Sequence, residues 1–255
     1  MKLVQEFELK SQRNKPIEKD RVKRILIRAT NWVGDAIMTV PALEAVRENF
    51  PRTHITVLAK PWVAPLFEHH PAVDRVLVFD KGHGPWTGFV EMLKMSRFIR
   101  KERFDLAILF QNAFEAALLA FLGRVKLRVG YKTDGRSLLL THGVPRTEAV
   151  LTVHQVGYYC AILRALGWAA EERDPALHAG SEVRGEAAGV LTSGGIDPGG
   201  YIVGLSPGAV FGNAKRWPPD RFAEIGDRAV EKWGAKVVVF GSGGERAICH
   251  SVCGA

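Results

Sequence analysis

Three stretches of this sequence hold residue types that could do chemistry. The first is "TNWVGD", residues 30–35, which follows the apolar run "RILI" and ends in Asp35. A carboxylate at the rim of a cleft takes the proton of an attacking hydroxyl when its surroundings tune it to the task. The same carboxylate could instead cap a helix by accepting from free N–H groups. Spacing alone leaves both roles open. Gly34 would let the backbone approach a ligand closely. The loop has neither the G-x-G-x-x-G nor the G-x-x-x-x-G-K-[ST] pattern, which argues against a dinucleotide-binding dehydrogenase and a P-loop NTPase.

The second stretch is "SPGAVFGNAKRWP", residues 206–218. Ser206, Gly208 and Gly212 suit a turn that presents N–H groups to an anion. Lys215 and Arg216 add two cations, and a leaving phosphate needs fixed cations and donors. The bland alternative is a solvated basic loop. The third is "FGSGGER", residues 240–246, where Glu245 could accept from ribose hydroxyls as acids do in nucleotide-binding βαβ units. Glycine-rich turns are common, so this motif is weak alone. His83, in "KGHGPW", either reaches the same edge or sits in a surface loop. His69-His70 reads as a loop, not a ligand pair. Cys249, His250 and Cys253 lack a visible fourth ligand, so no metal is expected and the thiols read as helix-buried.

These loops need strands to hold them. "RILIRA" (24–29), "HITVLA" (54–59), "VDRVLVFD" (73–80), "FDLAILF" (104–110) and "LRVGY" (127–131) read as strands. Helices are expected over 36–49, with Pro41 in the first turns or at a kink, and over 88–102, 113–123 and 154–168. Glycine ends the third of these. Residues 132–153 are polar and carry little pattern. The alternation restarts with a helix at 186–193, a strand at 201–207, a helix at 219–233 and a strand at 235–241. Short strands alternating with helices imply doubly wound parallel sheets, an α/β fold. The expected organisation is a basic flexible leader (1–23), an N-terminal domain (24–180) and the first part of a second domain (186–255).

The formal net charge is +8. A basic excess suits nucleic acid, an anionic membrane surface or a phosphorylated substrate. No nucleic-acid motif or basic–aromatic platform appears, so nucleic acid is not expected as a partner. No apolar run approaches the roughly 20 residues of a membrane span. The polar N-terminus lacks the apolar core of a secretory signal, so a cytoplasmic location is expected.

"NWVGDAIMTVPAL", "KGHG", "QNAFEAALLAFLG", "RVGY", "SPGAVFGNAKRWP" and "VVVFGSGGE" follow one another in an order that resembles the lipopolysaccharide heptosyltransferases, glycosyltransferase family 9, over residues 24–245. The resemblance is strongest to the type II members, and its most specific parts are the Lys215–Arg216 loop and "WVGD". It implies a GT-B fold: two Rossmann-like domains facing a cleft, the acceptor in the first and a nucleotide sugar in the second. The family's "D-S-G-L-x-H" type motif is missing, so the second domain is expected to be incomplete and the protein to be truncated at its C-terminus. The implied reaction is inverting and metal-independent, and its only cofactor-like molecule is the donor substrate. A heptose would pass from ADP-L-glycero-β-D-manno-heptose to the inner-core heptose of a lipid A core acceptor. The alternatives are Kdo-lipid A as acceptor, or a non-catalytic lipid-binding relative. The resemblance gives Asp35 the role of general base. It gives Lys215 the donor phosphates, which Ser206, Gly208 and Arg216 of the same loop are expected to share, and Glu245 the ribose. Asn31, Trp32, Gly34, His83 and Asn112 fall to substrate binding. An enzyme of this kind would meet its lipid acceptor at the inner membrane face, without a transmembrane segment.

Overall fold

The computed structural model describes residues 16–82, 84–209 and 215–254. Its elements follow the alternation: β1 (Arg24–Arg28), α1 (Val33–Met38), α2 (Val40–Asn49), β2 (His54–Ala59), α3 (Pro65–Glu68), β3 (Arg75–Val78), α4 (Pro85–Glu102), β4 (Leu106–Leu109), α5 (Phe114–Leu122), β5 (Leu127–Tyr131), β6 (His142–Val144), α6 (Glu148–Leu151), α7 (Gln155–Arg164), α8 (Ser181–Ser193), β7 (Ile202–Leu205), α9 (Pro219–Trp233), β8 (Lys236–Val239) and α10 (Arg246–Cys253). The protein divides into two compact units between Ala179 and Gly180.

In the first unit, six parallel strands lie in the order β3-β2-β1-β4-β5-β6. Central β1 is apolar because both faces are covered, as parallel sheets require. Ile25 and Ile27 face one core with Val40, Leu43 and Val46 of α2 and Ile162 and Leu163 of α7. Leu26 faces the other with Leu58, Met92 and Ile99 of α4 and Ala117 and Ala120 of α5. Each large aliphatic side group so buried contributes on the order of 1.5–3 kcal/mol.

Several boundaries differ from the sequence expectation. The helix expected over 36–49 is two helices that meet at Thr39, and Pro41 is the second residue of α2. Proline has no N–H to close an interior turn, so a helix start suits it. Gly123 follows α5 but at φ −69, and Arg124 takes the left-handed turn at φ 55. The glycine is needed for packing instead: a Cβ there would lie 2.5 Å from Ile99 Cγ2. The polar stretch 132–153 hides β6 and α6. The leader does not stay free up to residue 23. Val22 is in the core, and Lys19 Nζ donates to Asn49 Oδ1 at 2.6 Å while lying 5.8 Å from the Trp168 ring centre.

In the second unit, β7 and β8 pair in parallel with Val203 opposite Val237. Gly234 ends α9 in the left-handed conformation that glycine adopts without strain. Its buried apolar residues are few: Leu205, Ala229, Ala235 and Val252. No helix among the described residues is long and apolar enough to cross a membrane.

Candidate active site

The strand order reverses between β1 and β4, and ligands in open parallel sheets bind at the carboxyl ends of the strands on either side of such a reversal. The loops leaving those two strands carry Asn31–Asp35 and Gln111–Asn112. A cavity of about 480 Å³ opens there, lined by Asp35, Asn112, Arg146, Val150, Leu151, Val153, Gln155, Tyr158 and Tyr159.

Asp35 is not a helix cap. Helix α1 begins at Val33, its N-cap is Trp32, and no side-chain oxygen caps it. Asp35 lies in the first turn, half-buried, which keeps a carboxylate near the positive end of the helix. It shares the cavity wall with Tyr159, whose phenol is pushed up from its ordinary value by burial first and by the charge of Asp35 second. Arg146 brings a guanidinium to the same wall, 5.9 Å from the Tyr158 ring centre.

Two buried arginines fix the loops. Arg28 donates to the carbonyls of Ala29 at 2.8 Å and Leu58 at 3.2 Å, and to Asn31 Oδ1 at 3.1 Å. The Asn31 carbonyl also accepts from Trp62 Nε1 at 2.8 Å. Arg136 donates to the Tyr131 carbonyl at 2.8 Å, to the Gln111 carbonyl, and to Asn112 Oδ1 at 3.1 Å. Asn112 Nδ2 in turn donates to the Tyr158 hydroxyl at 2.8 Å. Burial lowers both guanidinium groups to about 10, opposed by Glu115 at Arg28 and by Tyr158 and Asp134 at Arg136. Both therefore stay charged at neutral pH.

Trp32 is exposed beside this loop, and a Cβ at Gly34 would meet nothing within 4 Å. His83 lies outside the described residues. Its neighbours Gly82 and Gly84 have φ of 67 and 107, a backbone that glycine alone adopts easily. Asp35, from the first turn of α1, and Asn112, from the loop after β4, thus meet in one cavity. Arg28, Arg136, Arg146, Tyr158 and Tyr159 were not among the expected residues. Arg28 had a signal, a charge inside an apolar strand run. The others come from 132–153 and from a helix whose apolar pattern masks its phenols.

In the second unit, Arg216 donates to the Ala209 carbonyl through Nε at 3.2 Å and Nη2 at 3.0 Å. This ties Arg216 to a residue four positions beyond the end of β7. Ser206 and Lys215 are exposed on it, and Gly212 is outside the described residues. Glu245 closes a capping box: its carboxylate accepts from the Ser242 N–H at 2.8 Å and hydroxyl at 2.7 Å. Those two bonds hold the carboxyl below its ordinary value, with the Arg216 charge adding to them. Gly208 fits against it, since a Cβ there would fall 1.9 Å from Glu245 Oε1.

Among the described residues, Glu44, His70 and His178 are the group of potential ligands close enough to share an ion. The hydrogen bonding at His70 opposes this. Nδ1 accepts from the Ala72 N–H at 3.1 Å, so the neutral ring carries its proton on Nε2, the atom that faces Glu44 at 3.6 Å. The Cys249 thiol lies 3.6 Å from the Phe240 carbonyl, and Cys253 is exposed rather than buried.

Residues 92–252 match the model of glycosyltransferase family 9 (heptosyltransferase). The protein is 29% identical to lipooligosaccharide heptosyltransferase 2 of Haemophilus ducreyi over 90% of its own length and 66% of the relative's. It is 29% identical to lipopolysaccharide heptosyltransferase 2 of Escherichia coli over 86% of its length and 63% of that protein's. It thus spans about two thirds of these relatives. Among solved structures, a family 9 glycosyltransferase from Veillonella parvula superposes with a TM-score of 0.80 at 24% identity, covering 94% of this protein and 68% of that one. The Escherichia coli ADP-heptose lps heptosyltransferase II does so at 0.76 and 23%, covering 91% and 68%. Their likeness shows the fold, of GT-B type. With the family match extending over more than half of the sequence, this protein belongs to glycosyltransferase family 9, the heptosyltransferases.

Proposed function

We propose that this protein carries the acceptor site and part of the donor site of a heptosyltransferase of lipopolysaccharide core synthesis. The donor is ADP-heptose, and the acceptor is the inner-core heptose of a lipid A core. The observation that supports this most is the convergence of Asp35 and Asn112 at the sheet's reversal point, in a cavity walled by phenols and an arginine. Such a wall suits a polyhydroxyl ligand: amides, phenols and guanidinium groups match hydroxyls and acidic substituents, and aromatic rings cover sugar faces.

The acceptor hydroxyl attacks the anomeric carbon of the donor and its proton passes to the Asp35 carboxylate. The bond from that carbon to the diphosphate breaks, and its electron pair leaves with ADP. Lys215, Arg216 and the loop around Ser206 and Gly208 take up the developing charge, and Glu245 meets the ribose. Asn31, Trp32, Gly34, His83 and Asn112 hold the acceptor. The reaction needs neither a metal nor a further cofactor. A lipid-carried acceptor brings the protein to the cytoplasmic face of the inner membrane.

The test is ADP release from ADP-heptose with a heptosylated lipid A core acceptor. Asp35→Asn keeps the shape and removes the base, so turnover should fall by about 10²- to 10⁴-fold. Turnover equal to the wild type would remove Asp35 from the mechanism.

A further inference from the structure

The exposed apolar residues of the first unit fall mainly in two groups, and one of them, with Trp32, Val33, Trp62, Leu151 and Val153, belongs to the loops and short helices of the candidate site. Helices α2 and α7, on one face of the sheet, leave no large apolar group exposed. The layer on the other face, α4 and α5 with the turn after β5, is different. Trp86 is 81% exposed and Leu138 95%, and Phe89, Val90 and Phe121 are about half exposed. Leu139 and Leu140 pack into the core under this layer, so the turn bearing Leu138 belongs to it.

Helical spacing joins these residues to charge. Trp86, Val90, Arg97 and Lys101 fall on one line along the outward face of α4, flanked by Phe89, Lys94 and Arg100. The aromatic end is the N-terminal turn, and the basic end is the C-terminal half. Lys94 pairs with Glu91 at 2.6 Å. Among the described residues, Arg97, Arg100 and Lys101 form no ion pair. Glu102 is turned inward, half-buried against Arg24 and Arg75.

We propose that the outer face of α4 and α5 is the surface by which this unit lies on an anionic lipid bilayer. Charge complementarity favours lipid over a protein partner. The centres of protein interfaces are depleted in charged residues, whereas several exposed Lys/Arg without acidic partners beside exposed aromatics match an anionic headgroup surface. The inward face of α4 is held by the core through Met92 and Ile99, so the helix is presented ready-folded. The placement extends the proposal of a lipid-carried acceptor but stands on side-group positions alone.

The test is co-sedimentation of the 255-residue protein with phosphatidylcholine vesicles, with and without 30% phosphatidylglycerol, at low and high salt. The wild type should bind the anionic vesicles, and 0.5 M salt should release it. Neutralising three surface cations, as Arg97→Gln/Arg100→Gln/Lys101→Gln, should weaken binding on the order of a hundredfold. Trp86→Ser/Val90→Ser should weaken it as well. A control with Lys2, Lys10, Arg13 and Lys15 changed to Gln should bind like the wild type. Binding unchanged in the α4 triple variant, or lost only in the control, overturns the assignment, as does binding indifferent to anionic lipid. ADP release with a delipidated acceptor separates the two proposals. Vesicle binding without turnover keeps the surface and removes the catalytic role, and turnover without vesicle binding does the reverse.

Discussion

At the scale of single residues, the site depends on groups that neither react nor contact solvent. Arg28 and Arg136 hold the two loops through main-chain carbonyls and the amides of Asn31 and Asn112. The placement of Asp35 at a cavity wall was legible, because a strand–helix junction lies at the carboxyl edge of the sheet. Its position inside the helix rather than at the cap was not legible, since a shift of three residues leaves no mark on composition. Arg136 was illegible, because nothing in "DGRS" says that its guanidinium points inward. His70 gives a pH prediction. Burial, and secondarily His178, lower its pKa from 6.5 to about 4. Above pH 6.5 the ring is neutral in the folded and unfolded states alike, so it adds nothing. Between pH 6.5 and 4 the unfolded state takes a proton that the folded state refuses, so stability falls as pH falls, by about 3 kcal/mol across the window. His70→Gln should remove this component. Urea unfolding at pH 7.5 and 4.5 would show it as a smaller loss in the variant, and equal losses would sink the idea.

At the scale of elements, the strongly patterned segments were readable. Strands β2 and β5 and helix α9 lie where their apolar spacing puts them, because burial on both faces or along one stripe leaves a period in the sequence. Strand β6 did not, since three residues, "HGV", are too short to show any period. The junction of α4 with α5 rests on Gly123, for a steric reason. Gly123→Ala would push a methyl into Ile99 and to 3.1 Å from the Leu119 carbonyl. It should destabilise the first unit by about 1–3 kcal/mol, and Ile99→Ala in the same protein should give part of that back. Additive losses in the double variant, measured by denaturant unfolding, would show that the two side groups do not compete for one space.

At the scale of the whole molecule, the two units differ in how much they bury. The first closes a six-stranded sheet between two helical layers. The second has a two-stranded sheet and few buried residues, and such small sheets are marginal on their own. Native-state hydrogen exchange should therefore find the amides of β7 and β8 opening well before those of β1 and β4. Equal protection in both units would contradict this. That the molecule is an α/β protein of two units was legible from the restart of alternation after residue 185. How thin the second core is was not, because apolar residues such as Trp233 and Phe240 count toward composition but lie half exposed.

The two arginine tethers also bear on how kinetics would be interpreted. Neither ends on a carboxylate: their acceptors are carbonyl and amide oxygens, which do not titrate, and both guanidinium groups stay protonated up to about pH 10. The oxygens that hold the two loops therefore keep the same charge when the solution is acidified. An acid limb in a rate profile would report the reacting groups or the loss of stability that His70 brings below pH 6.5, not the release of these two tethers.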